Sequence, residues 1–420
     1  MLKITSVNAV VIGFRLVISV FVQRILALTI GEAGIAKVGQ LRNLVEILKS
    51  VSTLGTFNGI IKYVSEFKDS REELDRVFST TYVFGVIGSV ITSTVLIFVS
   101  NSLAIKLFGS EEMSDVVVIL AVLMPVLVLI RFFNGIINGL SEYKKYAKID
   151  LITYVMSTLL LLLFLKFYSL KGVLLAIILT PVIQLGVIGS IFGAGLRRIV
   201  KVNSVRFKIP YYKQLLGFAL MSFVSTVLIN YIEIDIRTSI TNQISEKEAG
   251  YWTAIGFISK NYMVFSSGVF TLYVIPRFAK IYDGSRFKKE VVYIYKTLLP
   301  IFGLGMLLVY IFRETVITIV YPNFTGMEPL FKWQLLGDFI RLATLVVSHQ
   351  FLAKKMTKSF IVTELISLGL FYFLSKSLVL VYGAEGVVMA HFYRYIVYFG
   401  VVVFAVWRYY KINMNSFYNG

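Results

Sequence analysis

Apolar residues along this chain collect into long runs at about 5–30, 41–66, 78–100, 115–140, 147–167 and 172–196. After a basic stretch they resume at about 214–240, 250–275, 297–321, 329–352, 359–380 and 386–408. Charged residues or turns bearing Gly, Pro or Asn bound each run. About 20 mostly apolar residues suffice for an α-helix to cross the hydrocarbon layer, and a helix satisfies every backbone polar group within itself. The pattern predicts an all-α polytopic membrane protein with about twelve transmembrane helices in two six-helix bundles.

The two sets of six repeat one another. Glu32-Ala33-Gly34 stands in the first outer loop of one half and Glu248-Ala249-Gly250 in that of the other. Where the second span of each half leaves the membrane, Tyr63-Val64 precedes Phe67 and Asp69-Ser70-Arg71, and Tyr273-Val274 precedes Phe278 and Asp283-Gly284-Ser285-Arg286. Six is an even number of crossings, so both halves begin on the same side. The expected symmetry is a pseudo-two-fold axis along the membrane normal, as in parallel-repeat transporters. Domains are expected at 1–200 and 214–420, joined by a cytoplasmic linker at 201–213 that closes with Ile209-Pro210.

Loop charges set the orientation. Alternate loops carry 24 Lys and Arg, at Lys3 and within 68–76, 144–148, 197–213, 277–296, 354–358 and 408–411. The remaining loops carry six: Lys37, Lys106, Lys171, Lys247, Arg313 and Lys376. By the positive-inside rule both termini are cytoplasmic, and a multi-pass protein of a bacterial inner membrane is expected. The first run carries Arg15 and Arg24 without a small-residue cleavage pattern, so it reads as a retained span rather than a signal peptide.

Composition narrows the function. At 57% hydrophobic and 15% charged, the chain departs from soluble domains, and its net charge of +19 belongs to topology rather than to a nucleic-acid surface. No cysteine is present, and two histidines, His349 and His391, are too few for a multi-His metal site, so no metal or other cofactor is expected.

Twelve cations remain inside or at the edges of spans: Arg15, Arg24, Arg42, Lys49, Lys62, Arg131, Lys166, Arg237, Lys260, Lys332, Arg341 and Arg394. Seven carboxylates share those windows: Glu46, Glu66, Asp150, Glu233, Asp235, Asp338 and Glu364. An ionised group near the bilayer centre costs at least about 2.5–3.5 kcal/mol, so it faces a cavity, pairs or snorkels. Arg24, Arg42, Lys62, Lys166 and Lys332 lie within about two turns of a span end, where snorkelling or pairing competes with ligand binding as their role. Arg42, Glu46 and Lys49 share a helix face, and Glu233 and Arg237 have the favourable i, i+4 order. Lys260, Arg341 and Arg394 lie near mid-membrane at about 1.5 Å rise per residue. Asp338 is spaced to pair with Arg341, whereas Lys260 and Arg394 have no acidic neighbour on their own helix. The cationic excess points to an anionic ligand.

The binding candidates are therefore Arg15, Arg24, Lys49, Asn58, Lys62, Arg131, Arg237, Lys260, Arg341 and Arg394. Asn134 and Asn138 extend the polar stripe of Arg131, and Tyr262, Tyr395 and Tyr398 are candidate sugar contacts. Asp235, Asp338 and Glu364 are candidates for coupling to H+ or Na+, because an intramembrane carboxylate can change charge.

Three segments carry a family resemblance: Gly55-Thr56-Phe57-Asn58-Gly59-Ile60-Ile61-Lys62-Tyr63-Val64, Trp333-Gln334-Leu335-Leu336-Gly337-Asp338, and Arg394-Tyr395-Ile396-Val397-Tyr398-Phe399 followed by Trp407-Arg408. They resemble the Wzx-type flippases, specifically the O-antigen and enterobacterial common antigen lipid III branch of the multidrug/oligosaccharidyl-lipid/polysaccharide exporter superfamily. The resemblance implies alternating access on an undecaprenyl-pyrophosphate-linked oligosaccharide, flipped from the cytoplasmic to the periplasmic face, with no enzymatic step. It implies membrane lipid, polysaccharide polymerase and chain-length proteins as partners. The rival readings are an ion-coupled multidrug exporter of the same superfamily, which would want an acidic cavity, and a membrane-embedded polysaccharide-synthesis enzyme, which would want a long exposed loop.

Overall fold

A computed structural model describes residues 2–200 and 206–418, with side chains between 13 and 412 apart from 201–205, 267, 268, 271 and 272. The first part of the expected linker, 201–205, lies outside the described residues. Fifteen α-helices and no strands occur among them. In the first half these are α1 (Leu2–Ser52), α2 (Phe57–Glu66), α3 (Arg71–Phe98), α4 (Ser100–Phe108), α5 (Ser114–Val122), α6 (Met124–Gly139) and α7 (Tyr143–Ile199). The second half contains α8 (Tyr212–Ser222), α9 (Ile229–Gln243), α10 (Glu246–Val269), α11 (Ile275–Ala279), α12 (Gly284–Ile311), α13 (Arg313–Val320), α14 (Leu330–Ala353) and α15 (Thr357–Tyr418).

Seven helices are long and apolar enough to cross a membrane, or eight if the bent pair α5–α6 counts as one crossing. Three of them turn back in the middle, at Gly31 (φ 63°), Ser169 (φ 48°) and Gly383 (φ 57°). Counting each kinked helix as two crossings and the continuous stretch α10–α11 as one gives the expected twelve among the described residues. Apolar side chains such as Phe21, Phe98, Phe167 and Phe373 stand outward. That surface suits hydrocarbon rather than water.

The element order confirms the repeat. Each half places a short helix and a 3-10 turn between its third and fourth crossings: α4 with Glu111–Met113, and α13 with Thr325–Met327. Each half ends in a long kinked helix, with Ser169 at (48°, −133°) and Gly383 at (57°, −141°). A glycine follows three residues after each kink, and a Cβ on Gly172 or Gly386 would overlap the backbone carbonyl of Phe164 or Leu378, respectively.

Two runs differ from expectation. The run at 297–321 is not one span: α12 ends at Ile311, and α13 starts at Arg313, whose guanidinium pairs with Glu328 at 2.7 Å. A cation and its partner at that point end the apolar stretch early. The run at 41–66 is broken at 53–56, where Leu54 (φ 47°) and Gly55 (φ 65°) reverse the backbone. Thr53 Oγ1 donates to the Lys49 carbonyl and Thr56 Oγ1 to that of Thr53, both at 2.8 Å, so side chains satisfy groups that the broken helix frees. In the second half the corresponding crossing carries a π-helical turn at Phe270–Val274 instead.

The chain forms two compact units, Met1–Val22 with Lys37–Ile234 and Gln23–Ala36 with Asp235–Gly420. In the first, Ile60, Val64, Phe78, Ile136, Ile149 and Phe192 form a core joining α2, α3, α6 and α7. Gly135 and Gly139 let α6 approach α2, since a Cβ there would meet Ile60 at 2.8 Å and Val64 at 2.7 Å. The chain returning from the linker is tied to α3. Arg206 N donates to Ser79 Oγ at 3.0 Å, Tyr211 N to Thr80 Oγ1 at 3.1 Å, and the Tyr211 hydroxyl to Glu73 at 2.5 Å. Burial, and then the Glu73 carboxylate, push the Tyr211 phenol up to about 12. In the second unit α14 lies along α15. Gly337 leaves room for the His391 ring, and Gln350 Nε2 donates to Tyr410 at 2.7 Å.

Candidate functional site

The embedded charges of the first unit meet partners at its helix surfaces. Arg15 on α1 forms an ion pair with Asp150 on α7 and lies 4.7 Å from the Tyr154 ring centroid. Lys49 pairs with Glu46 one turn earlier at 2.8 Å, and Lys62 reaches Glu66 at 3.9 Å. Asn43 donates to both Glu233 and Asn230 at 2.7 Å, drawing α1 and α9 together. Asn58 is exposed.

Arg131 is different. Its guanidinium lies 4.1 Å from the Phe57 ring centroid and makes no ion pair among the described residues. Its Nε and, one turn on, Asn134 Oδ1 are buried without hydrogen-bond partners. A buried orphan donor beside a buried orphan acceptor is costly unless something polar fills the space. α6 is apolar on its other face, so the helix is held by packing while this polar stripe is left for other use.

In the second unit Asp338 and Arg394 are drawn inward. Asp338 on α14 is 0% exposed and receives hydrogen bonds from three helices. Its Oδ2 accepts from Ser259 Oγ at 2.5 Å, from the Tyr262 hydroxyl and from Gln334 Nε2 at 2.9 Å. His391 Nε2 stands 3.1 Å from Oδ1, and Arg341 Nη1 lies 3.7 Å from the same oxygen. Gln334 and Asp338 share one face at i, i+4, and the small Gly337 between them admits the imidazole.

Arg394 is 6% exposed, one turn from His391 on α15. Its Nε donates to Ser367 Oγ at 2.9 Å and its Nη2 to the Tyr395 hydroxyl at 3.0 Å. The Phe371 and Tyr395 rings lie 4.9 and 4.6 Å from its Cζ. It has no ion-pair partner among the described residues, so a desolvated positive charge rests on hydroxyls and ring faces alone.

The remaining candidates disperse. Arg24 Nη1 donates to the carbonyls of Thr318 and Ile319 at 2.8 and 2.6 Å, capping the end of α13. Arg237 Nε donates to Thr253 Oγ1 at 2.8 Å and lies 5.0 Å from the Trp252 ring centroid. Lys260 is exposed on α10. Asp235 forms an ion pair with Lys376 at 2.6 Å, and Lys376 also donates to Ser239. Glu364 accepts from the Tyr398 hydroxyl at 2.6 Å.

The candidates thus separate into a helix cap, ion pairs, and guanidiniums on aromatic rings, of which Arg131 and Arg394 have no carboxylate at ion-pair distance among the described residues. His391, Ser259 and Ser367 were not singled out by sequence. His391 precedes Arg394 by three residues on an apolar helix, and that spacing was the available signal. Among the described residues no group of three His, Cys, Asp or Glu could hold a metal ion.

Comparison with known proteins follows the same lines. The family described as polysaccharide biosynthesis protein matches residues 1–282. The lipid III flippase of Escherichia coli (strain K12) is 26% identical over 395 residues, covering 92% of this chain and 94% of that one. Among solved structures, an inward-facing multidrug resistance MATE transporter of the MOP superfamily aligns with a TM-score of 0.76 at 14% identity, covering 93% of this chain and 94% of that one. The lipid II flippase MurJ, in an inward closed conformation, aligns at 0.69 and 17% identity, covering 95% and 87%. These likenesses give the fold, a twelve-helix membrane bundle.

Proposed function

We propose that this chain, which belongs to the polysaccharide biosynthesis protein family, moves an undecaprenyl-pyrophosphate-linked oligosaccharide from the cytoplasmic to the outer face of a bacterial inner membrane. Both termini lie on the cytoplasmic side, toward which the cationic loops are retained. The observation that carries this reading is the pair Arg131 and Arg394: each lies within an apolar span, against aromatic rings, with no carboxylate at ion-pair distance among the described residues.

A pyrophosphate head group is multiply charged and cannot cross hydrocarbon bare. Its hydration must be replaced by fixed donors while the prenyl tail stays in lipid. Guanidinium groups do this best, because their planar fork donates two parallel bonds to phosphate oxygens. Asn134 and Asn138 beside Arg131, and Tyr395 and Tyr398 beside Arg394, add neutral groups suited to sugar hydroxyls and ring faces. Lipid III flippases lend the substrate class by kinship at 26% identity.

Deleting the gene in the organism that encodes it and measuring lipid-linked sugars on the cytoplasmic face tests the reading. Accumulation of undecaprenyl-pyrophosphate-linked glycan there is the expected result. An unchanged pool, with altered resistance to cationic dyes instead, overturns it in favour of drug export.

A further inference from the structure

We propose that Asp338 and His391 form a proton-binding pair whose protonation is linked to anion binding at the neighbouring guanidiniums, so that an anionic passenger is held more tightly when His391 carries a proton. The passenger rests on the function proposed above; the pair itself does not.

The geometry divides the carboxylate into two ends. Asp338 Oδ2 is saturated by three neutral donors, Ser259, Tyr262 and Gln334, and these fix the group in place whatever the pH. Oδ1 faces the two members of the cluster that can carry positive charge, His391 at 3.1 Å and Arg341 at 3.7 Å. With His391 neutral, one carboxylate balances one guanidinium. Adding a proton to the imidazole places a second cation on the same oxygen.

Whether that proton is held depends on the other charges facing the ring. From α14 comes Arg341, from α15 Arg394, and from α10 the phenol of Tyr262. Tyr395 presents its ring to His391 at 4.9 Å between centroids. Apart from Asp338, the charges at the ring, Arg341 and Arg394, are positive and oppose an imidazolium; the arm of α15 that brings Phe371 to the ring carries Glu364, which accepts from the Tyr398 hydroxyl. An anion bound to Arg341 or Arg394 cancels part of that potential and draws the proton in. Linkage is reciprocal: if the anion favours the proton, the proton favours the anion by the same factor. An imidazole is the side chain whose unperturbed charge change falls near physiological pH, at about 6.5.

A purely structural cluster would knit α10, α14 and α15 together equally well, so the test must read protons. The chain has 2 histidines, so a sample labelled with 15N-histidine gives two imidazole signals. The variant H349Q leaves only that of His391. The expected result is an imidazole that is neutral at pH 8 and gains its proton on acidification, at a higher pH in wild type than in D338N. A His391 signal that takes up its proton at the same pH in D338N as in wild type overturns the pair, with no substrate involved.

The linkage is read by binding undecaprenyl pyrophosphate to the detergent-solubilised full chain at pH 6 and at pH 8. Wild type should bind about tenfold more tightly at pH 6 than H391Q does, with the two converging at pH 8. Equal affinities at both values overturn the linkage while leaving the proposed function standing. Failure of the wild type to bind the probe at either pH overturns the linkage together with that function, leaving the proton pair to the imidazole spectra. H391Q and wild type should unfold within a few degrees of one another, which separates lost linkage from lost fold.

Discussion

Two ionic arrangements in this protein answer the same physical problem in opposite ways. In the first unit, Arg15 and Asp150 form a pair whose side chains are each 37% exposed, and Lys49 and Glu46 pair along one helix with similar freedom. In the second unit, Asp338 is wholly enclosed and draws donors from three helices. A carboxylate with one half-exposed partner loses little when that partner goes, because solvent or a headgroup can replace it. A carboxylate sunk among four hydrogen-bond partners cannot be replaced by solvent when it is removed, and leaves all four without an acceptor. The second unit has staked far more of its integrity on charge, although both units are built on one repeated topology.

Removing each carboxylate breaks the comparison most directly. Asp338→Ala leaves Ser259, Tyr262, Gln334 and His391 without their shared acceptor and Arg341 without its acidic neighbour, so it should destabilise by about 3–5 kcal/mol. Asp150→Ala should cost no more than about 1 kcal/mol once exposure is allowed for. Chemical or thermal unfolding of the two variants in detergent checks this. Equal losses would mean that the buried cluster is no more structural than the exposed pair.

The guanidiniums sharpen it further. Arg394→Gln keeps a donor for Ser367 and Tyr395 but removes the charge, and Arg131→Gln does the same beside Phe57. Flipping of an undecaprenyl-pyrophosphate-linked sugar in proteoliposomes should fall at least about tenfold for Arg394→Gln, since truncating a desolvated charge that holds an anion costs about 2 kcal/mol or more. The half-buried Arg131 should give a smaller loss. Transport by Arg394→Gln at the wild-type rate would make that cation a packing group.

Which parts of this were legible in the sequence follows from the range of each interaction. The crossings were legible because a span is a property of some twenty consecutive residues, and a repeat of topology shows in any triplet that survives in both halves. The break at 53–56 was not, because Leu54 and Gly55 are single residues whose effect depends on what they meet, whereas Arg313, which reads as a loop cation, already marks an early end for the ninth run. Asp338 could be paired with Arg341 by spacing alone, and the structure places them at 3.7 Å. Its nearer partners, Ser259, Tyr262 and His391, lie 79, 76 and 53 residues away in sequence, and nothing local links them to it. Arg394 lacks an acidic neighbour on its own helix, and in the fold it meets rings and hydroxyls rather than a carboxylate.

The smallest effect concerns the kinks that close each half. Ser169 and Gly383 adopt nearly the same backbone angles, and this region of positive φ is open to glycine but strained for a residue with a Cβ. The first half therefore holds a serine where the second holds the residue that the conformation prefers. Ser169→Gly should relieve about 1 kcal/mol of strain, less whatever glycine gains in the unfolded chain. Gly383→Ala should lose a similar amount. Its new Cβ would also approach Glu248 Oε2 at 3.2 Å, the oxygen that accepts from the Ala384 N–H at 2.9 Å and caps the helix restarting beyond the kink. Opposite signs in the unfolding midpoints of these two variants are expected. The same sign in both would mean that the two kinks, alike in angle, are held by different forces, with Ser169 supported by its surroundings rather than merely tolerated.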